Sequence, residues 1–124
     1  MAIYVTRWFA RWAKQQGLTD EALCRAGHEM SKGLYEADLG CHLLKKRIAR
    51  PGSGKRGGFR TLVATNFAGV WFFLYGYAKN EREEVEPCDV AALKKLAKSL
   101  VGMSHFELLK AQDENEIARI DYDA

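Results

Sequence analysis

The chain has 124 residues, 48% of them hydrophobic and 28% charged, a balance that suits one domain able to close a core and excludes a disordered or fibrous protein. Its longest apolar run, residues 70–75, is six residues, against the roughly 20 that a membrane-spanning helix needs. The net charge of +3 hides a segregated one: residues 39–80 carry eight basic side chains and no acid, while residues 81–124 carry eleven acids against six bases.

Residues 3–6 (I-Y-V-T) are β-branched and aromatic and predict a first strand. Trp8, Phe9 and Trp12 then fall at helical spacing opposite Arg7, Arg11 and Lys14, so a first helix packs through those aromatics and stops at Gly17. Thr19 caps a second helix, residues 20–32, which Gly33 ends; the two make an antiparallel hairpin. Residues 34–40 read as irregular and 41–49 as a strand. Residues 51–58 hold five Gly or Pro and predict a loop. Two further strands, 59–66 and 70–78, are joined by a turn at 67–69. Residues 80–87 form a charged linker, Asp89 caps a third helix to about Val101, and Ser104-x-x-Glu107 is a capping box opening a fourth, to about Gln112. The acidic tail, 113–124, is given no element, which leaves a core of about 3–112 within a single domain spanning 1–124. The order β-α-α-β-β-β-α-α predicts an α+β domain: a small antiparallel sheet with an N-terminal helical hairpin and C-terminal helices. The strand over 70–78 is apolar on both sides, so helices should cover both faces of the sheet.

Cys24, Cys41 and Cys88 are odd in number and form no Cys-x-x-Cys pair, which points to a reduced, cytoplasmic setting. His28, His42 and His105 are scattered, and no spacing of His, Cys, Asp and Glu suits a metal. No metal and no cofactor are expected.

A segment of 42 residues without an acid implies a polyanionic partner, because phosphates attract clustered cations and release their counterions on binding. Side chains alternate on strands, so Lys45 and Arg47 share one face while Lys46 and Ile48 take the other. If Arg60 on the next strand looks the same way as Lys45 and Arg47, the three make a cationic cluster, with Lys55 and Arg56 at the tip of the Gly-rich loop. On the strand over 70–78, Trp71, Phe73, Tyr75, Tyr77 and Lys79 should share a face, with Tyr77 at the rim. Charges that track phosphates beside rings that take bases suit single-stranded nucleic acid. Trp71, Phe73 and Tyr75 are read as core rather than as base platforms. A phosphate-binding P-loop is excluded at Gly52-Ser53-Gly54-Lys55, since Arg56 stands where a Ser or Thr is needed and a strand follows. His42 is read as structural or exposed rather than as a base.

Two stretches, RIARPGSGKRGGFR over 47–60 and VWFFLYGYAKNER over 70–82, resemble the RelE/ParE superfamily of toxin–antitoxin modules, and more narrowly the RelE-type toxins. With the opening strand and hairpin the resemblance covers about residues 3–101. It implies the toxin of a type II toxin–antitoxin system: a metal-free endoribonuclease, or mRNA interferase, that cuts messenger RNA on the ribosome and so inhibits translation. It also implies silencing by a tightly bound antitoxin of helix-turn-helix type. In such toxins basic groups on the central strands surround the scissile phosphate, which here corresponds to Lys45, Arg47, Arg60, Lys79 and Arg82. The positions at which RelE carries a further Arg and a Tyr are Asn80 and Glu86, and the loop bearing Lys55 is longer.

Metal-free cleavage uses the 2′-hydroxyl as nucleophile, and stabilising the charge of the phosphorane is usually the largest catalytic effect. The expected roles place Arg47 and Arg60 on the phosphate, Lys45 or Lys55 in acid or base duty, and Tyr77 against a base. Lys46, Arg50, Arg56, Lys79 and Arg82 are expected to bind the RNA backbone. Two other readings share the sequence: a ParE-like toxin that binds DNA gyrase, and an RNA-binding module without catalysis. The acidic tail is a candidate shield for the basic face.

Overall fold

The structure is a computed structural model that describes residues 1–50, 58–79 and 86–120. Its elements in chain order are β1 (Ala2–Thr6), α1 (Arg7–Gln16), α2 (Asp20–Ser31), β2 (Ala37–Asp38), β3 (Leu43–Ile48), β4 (Phe59–Thr65), β5 (Val70–Ala78), α3 (Pro87–Val101), α4 (His105–Asp113) and β6 (Ile117–Ile120). The α+β class is borne out, but the sheet is larger than the expected antiparallel one. It has six strands in the order β2-β3-β4-β5-β1-β6 and is mixed, because β1 runs parallel to β5 while the other described pairings are antiparallel.

Local chemistry sets the helix ends. Thr6 Oγ1 accepts from the Phe9 N–H at 3.1 Å, turning β1 directly into α1, and Gly17 adopts a left-handed φ of 73° that ends α1. Thr19 Oγ1 accepts from the Ala22 N–H to start α2. The expected capping box is formed in full, with Ser104 and Glu107 bonded in both directions at 3.1 Å. α3 starts two residues before the expected Asp89, because Pro87 occupies the first helical turn, where its missing N–H costs nothing.

Helices cover both faces of the sheet. On one, α1 and α2 bury Phe9, Ala13, Leu23, Ala26 and Met30 against Leu44, Phe59, Val63, Trp71 and Phe73. On the other, Ala97 and Leu100 of α3, with Ala111 of α4, pack on Leu43, Leu62, Ala64, Phe72, Leu74 and Tyr77. This is the two-sided burial expected of an apolar strand such as β5. Gly76 is required by the first layer, since a β-carbon there would lie 2.3 Å from the Trp12 ring.

Three expectations are corrected. The 34–40 stretch contributes β2, and the strand expected from Cys41 begins at Leu43 because Cys41 and His42 take left-handed turn conformations. The tail is not without structure: Ile117 and Ile120 bury against the two cores while β6 pairs with β1, Tyr4 opposite Arg119. Residues 117–120 therefore sit across β5 and β1 from β4 and do not cover the basic strands; residues 121–124 lie outside the described residues. Finally, Leu62 faces Tyr75 whereas Val63 faces Phe73, so Leu74 is an extra residue that flips the alternation of β5. Trp71 and Phe73 pack toward the helical hairpin, whereas Tyr75 and Tyr77 pack toward α3.

Among the described residues no helix is long and apolar enough to cross a membrane.

Candidate nucleic-acid interface

The basic residues converge through strand register. Arg47 of β3 lies opposite Arg60 of β4, which lies opposite Tyr77 of β5; in the next row Lys45 lies opposite Leu62, which faces Tyr75. Residues directly opposite on neighbouring strands carry β-carbons about 4.5–5.5 Å apart, and their side chains share a face. Lys45, Arg47 and Arg60 thus lie together, as expected, and Tyr77 joins them only because the bulge at Leu74 turns it away from Trp71 and Phe73. This is the α3 face of the sheet. α3 ends with Leu100 and Val101 beside Val70 and Phe72 at the start of β5, so its opposite, N-terminal end points back toward Arg60 and Tyr77.

Within the row the side chains differ in exposure. Arg47 is exposed and Lys45 half-buried, while the Arg60 side chain is only 7% exposed. Two arginines directly opposite one another repel, and a carboxylate answers them: Glu36 Oε2 lies 2.7 Å from Arg60 Nε. Arg60 Nη1 is shielded from solvent with no acceptor among the described residues. A buried cationic N–H without a partner costs more than the roughly 1–3 kcal/mol of a neutral one. Arg60 is therefore held by one nitrogen and unsatisfied at another. Gly58 lets the strands close here, because a β-carbon on it would stand 2.9 Å from the Ile48 carbonyl oxygen and 3.5 Å from Arg47 Nε.

The other expected residues are placed less uniformly. Lys46 is on the opposite face, where Nζ donates to the Leu34 carbonyl at 2.9 Å and pairs with Glu29 at 3.0 Å. It ties α2 to the sheet rather than standing with Lys45 and Arg47. Arg50 lays its guanidinium over the Phe59 ring at 5.2 Å. Lys79 is exposed just past β5, and its N–H donates to the Gly58 carbonyl at 3.3 Å, at the same end of the sheet as Arg60. Lys55, Arg56, Asn80 and Arg82 lie outside the described residues. Glu86 caps α3 without a side-chain hydrogen bond. His42 lies at the opposite end of β3 from Arg47, where its carbonyl accepts from the Thr65 N–H. Cys24 is an unsuitable nucleophile: burial first, then the nearby Asp20 carboxylate, push its thiol pKa up.

Glu36 is the residue that sequence reasoning missed. Its stretch carries no periodic signal, and the pairing of β2 with β3 brings its carboxylate to Arg60. Trp8 also departs from expectation: it is 47% exposed rather than part of the packing face of α1.

No curated protein matches the chain. A family model, described as the RelE toxin of the RelE/RelB toxin–antitoxin system, matches residues 1–120. The match takes in α4 and β6, beyond the stretch that the two motifs had marked. A basic row at the end of a mixed sheet, a helical hairpin behind it and a family match over nearly the whole length agree, and the chain belongs to the RelE toxin family of toxin–antitoxin systems.

Proposed function

We propose that this toxin is a metal-free endoribonuclease that cuts messenger RNA on the ribosome, in the cytoplasm, and is held silent by an antitoxin of helix-turn-helix type. The observation that carries this reading is Arg60, buried, paired at Nε with Glu36, and lacking an acceptor at Nη1 among the described residues. A phosphate oxygen supplies the missing acceptor, and the exposed Arg47 opposite makes first contact with the strand.

In this mechanism Glu36, drawn off Arg60 by the incoming phosphate, accepts the 2′-hydroxyl proton. The 2′ oxygen bonds to phosphorus as the bond to the 5′ oxygen breaks. Arg47 and Arg60 stabilise the charge of the phosphorane in between. The Lys45 ammonium, one row away on the same face, donates the proton to the departing 5′ oxygen. The products are a 2′,3′-cyclic phosphate and a free 5′-hydroxyl. Tyr77 supports Arg60 from β5, and Lys46 acts through the position of β3. Arg50 and Lys79 bind the RNA backbone, as do Arg56 and Arg82, and Lys55 shares the proton transfer; Lys55, Arg56 and Arg82 lie outside the described residues.

The test is to incubate the purified chain with translating ribosomes and map new messenger 3′ ends. New ends bearing 2′,3′-cyclic phosphate, lost together in Arg60→Ala and Glu36→Gln, support the reading. Intact messenger together with gyrase inhibition overturns it.

A further inference from the structure

Outside the basic row, the chain carries an exposed ring system. Trp8 stacks on Tyr75 with centroids 4.6 Å apart and planes 26° apart, and Tyr75 in turn lies 6.4 Å from Tyr77, the neighbour of Arg60 across the strands. Trp12 continues the series, 6.1 Å from Trp8 and nearly parallel to it. We infer that the Trp8–Tyr75 stack is a base-binding platform, which takes the bases of single-stranded RNA adjoining the phosphate held at Arg60. This rests on the RNA-cleaving reading above and extends it to how the strand is held.

Three observations argue for it. First, α1 is anchored to the core by Phe9 and Ala13, both buried, while Trp8 remains 47% exposed. Exposed indole surface beside a second ring costs burial energy and calls for a use. Second, the register opens a path. β1 pairs with β5 only as far as Val5 opposite Phe73, and Thr6 Oγ1 closes the pairing on the Leu74 carbonyl. From Tyr75 onward the outer edge of β5 has no strand beside it among the described residues, and Trp8 stands at the start of that edge. The bulge at Leu74 also turns Tyr75 to the face that carries Arg60. Third, the charge is right for a nucleic acid. Arg11 is exposed one helical turn from Trp8, and Lys79 is exposed at the end of β5. Arg7 is unavailable, since its guanidinium donates to the carbonyls of Asn115 and Glu114. Aromatic rings interleaved with cations bind bases of any sequence, since every base has a π-face.

The test uses the full chain and a 2′-O-methyl RNA oligonucleotide, which lacks the nucleophile and is bound without being cut, beside an abasic strand of equal length. Trp8→Ala is expected to weaken the base-bearing strand about tenfold to a hundredfold, with Trp8→Phe restoring most of it. The abasic strand and the salt dependence should be unchanged. In the wild type, the base-bearing strand should protect tryptophan emission from acrylamide where the abasic strand does not; this reports on Trp8 and its half-buried neighbour Trp12, because Trp71 is 1% exposed. That arm keeps the idea open to refutation should Trp8→Ala fail to fold. Equal affinity of wild type and Trp8→Ala, with binding still weakened by Arg47→Ala, overturns the platform and leaves the nuclease standing. An unchanged RNA affinity coupled to weaker capture of the antitoxin also overturns it, and marks the ladder as a protein contact. Absence of both RNA binding and cutting on ribosomes sinks the nuclease reading, and the platform with it.

Discussion

Lys46 and Arg47 are consecutive, equally charged and on the same strand, yet they meet different surroundings. Lys46 is 8% exposed and locked between the Leu34 carbonyl and Glu29, beneath α2. Arg47 is exposed on the other face, opposite an arginine that is short of an acceptor among the described residues. The Lys45-Lys46-Arg47 run is therefore not one feature. The period of two along a strand divides it between a lysine that holds the protein together and an arginine left exposed, the one proposed to meet RNA.

The largest loss of function is expected on the Arg47 side. Arg60→Ala is expected to lower messenger cleavage on the order of 10²–10³-fold, measured as the rate of new 3′ ends. Melting should fall as well, because a side chain only 7% exposed is removed, although water takes over the Glu36 carboxylate; Arg60→Lys, which keeps the stem, separates the two effects. A variant that cuts at the wild-type rate would place the site elsewhere. On the hairpin side the largest effect falls on stability. Gly76→Ala drives a β-carbon into the Trp12 ring and should cost about 1–3 kcal/mol, read as a lower denaturant midpoint.

Lys46→Met against Arg47→Ala sharpens the contrast directly. The first should lose about 1–3 kcal/mol of stability by stranding the Leu34 carbonyl and leave the salt dependence of RNA binding alone. The second should keep its stability and reduce that salt slope by about one. Equal effects from both would erase the distinction between the faces. The smallest expected effect lies far from either. The backbone and side-chain hydrogen bonds of Ser104 hold the Glu107 carboxyl below the usual glutamate range. A depressed folded-state pKa stabilises above the unfolded value, and that contribution is lost as pH falls through the folded one. Glu107→Gln should therefore differ from wild type near neutrality and converge with it in acid, in denaturation curves taken across that range.

Much of this was legible in the sequence because it is local. Thr19, Gly17 and the Ser104–Glu107 box mark helix ends by chemistry that spans a few residues, and a hairpin with alternating side chains sets Arg47 beside Arg60. What stayed hidden depends on partners distant in the chain. The flip of Tyr77 requires knowing that Leu74 has no partner across from it on β4. Glu36 reaches Arg60 through a two-residue strand too short to leave a periodic signature. The acidic tail hid β6, whose two isoleucines become meaningful only when β1 is beside them.

That last pairing bears on what shortened forms of the protein would do. β1 lies inside the sheet only because β6 closes its outer side. A chain cut before Ile117 would bare a row of unpaired amides along Ile3, Tyr4 and Val5, and such a margin recruits strands from other molecules. Clipped material should scatter light and sediment as clusters, however intact its cationic end.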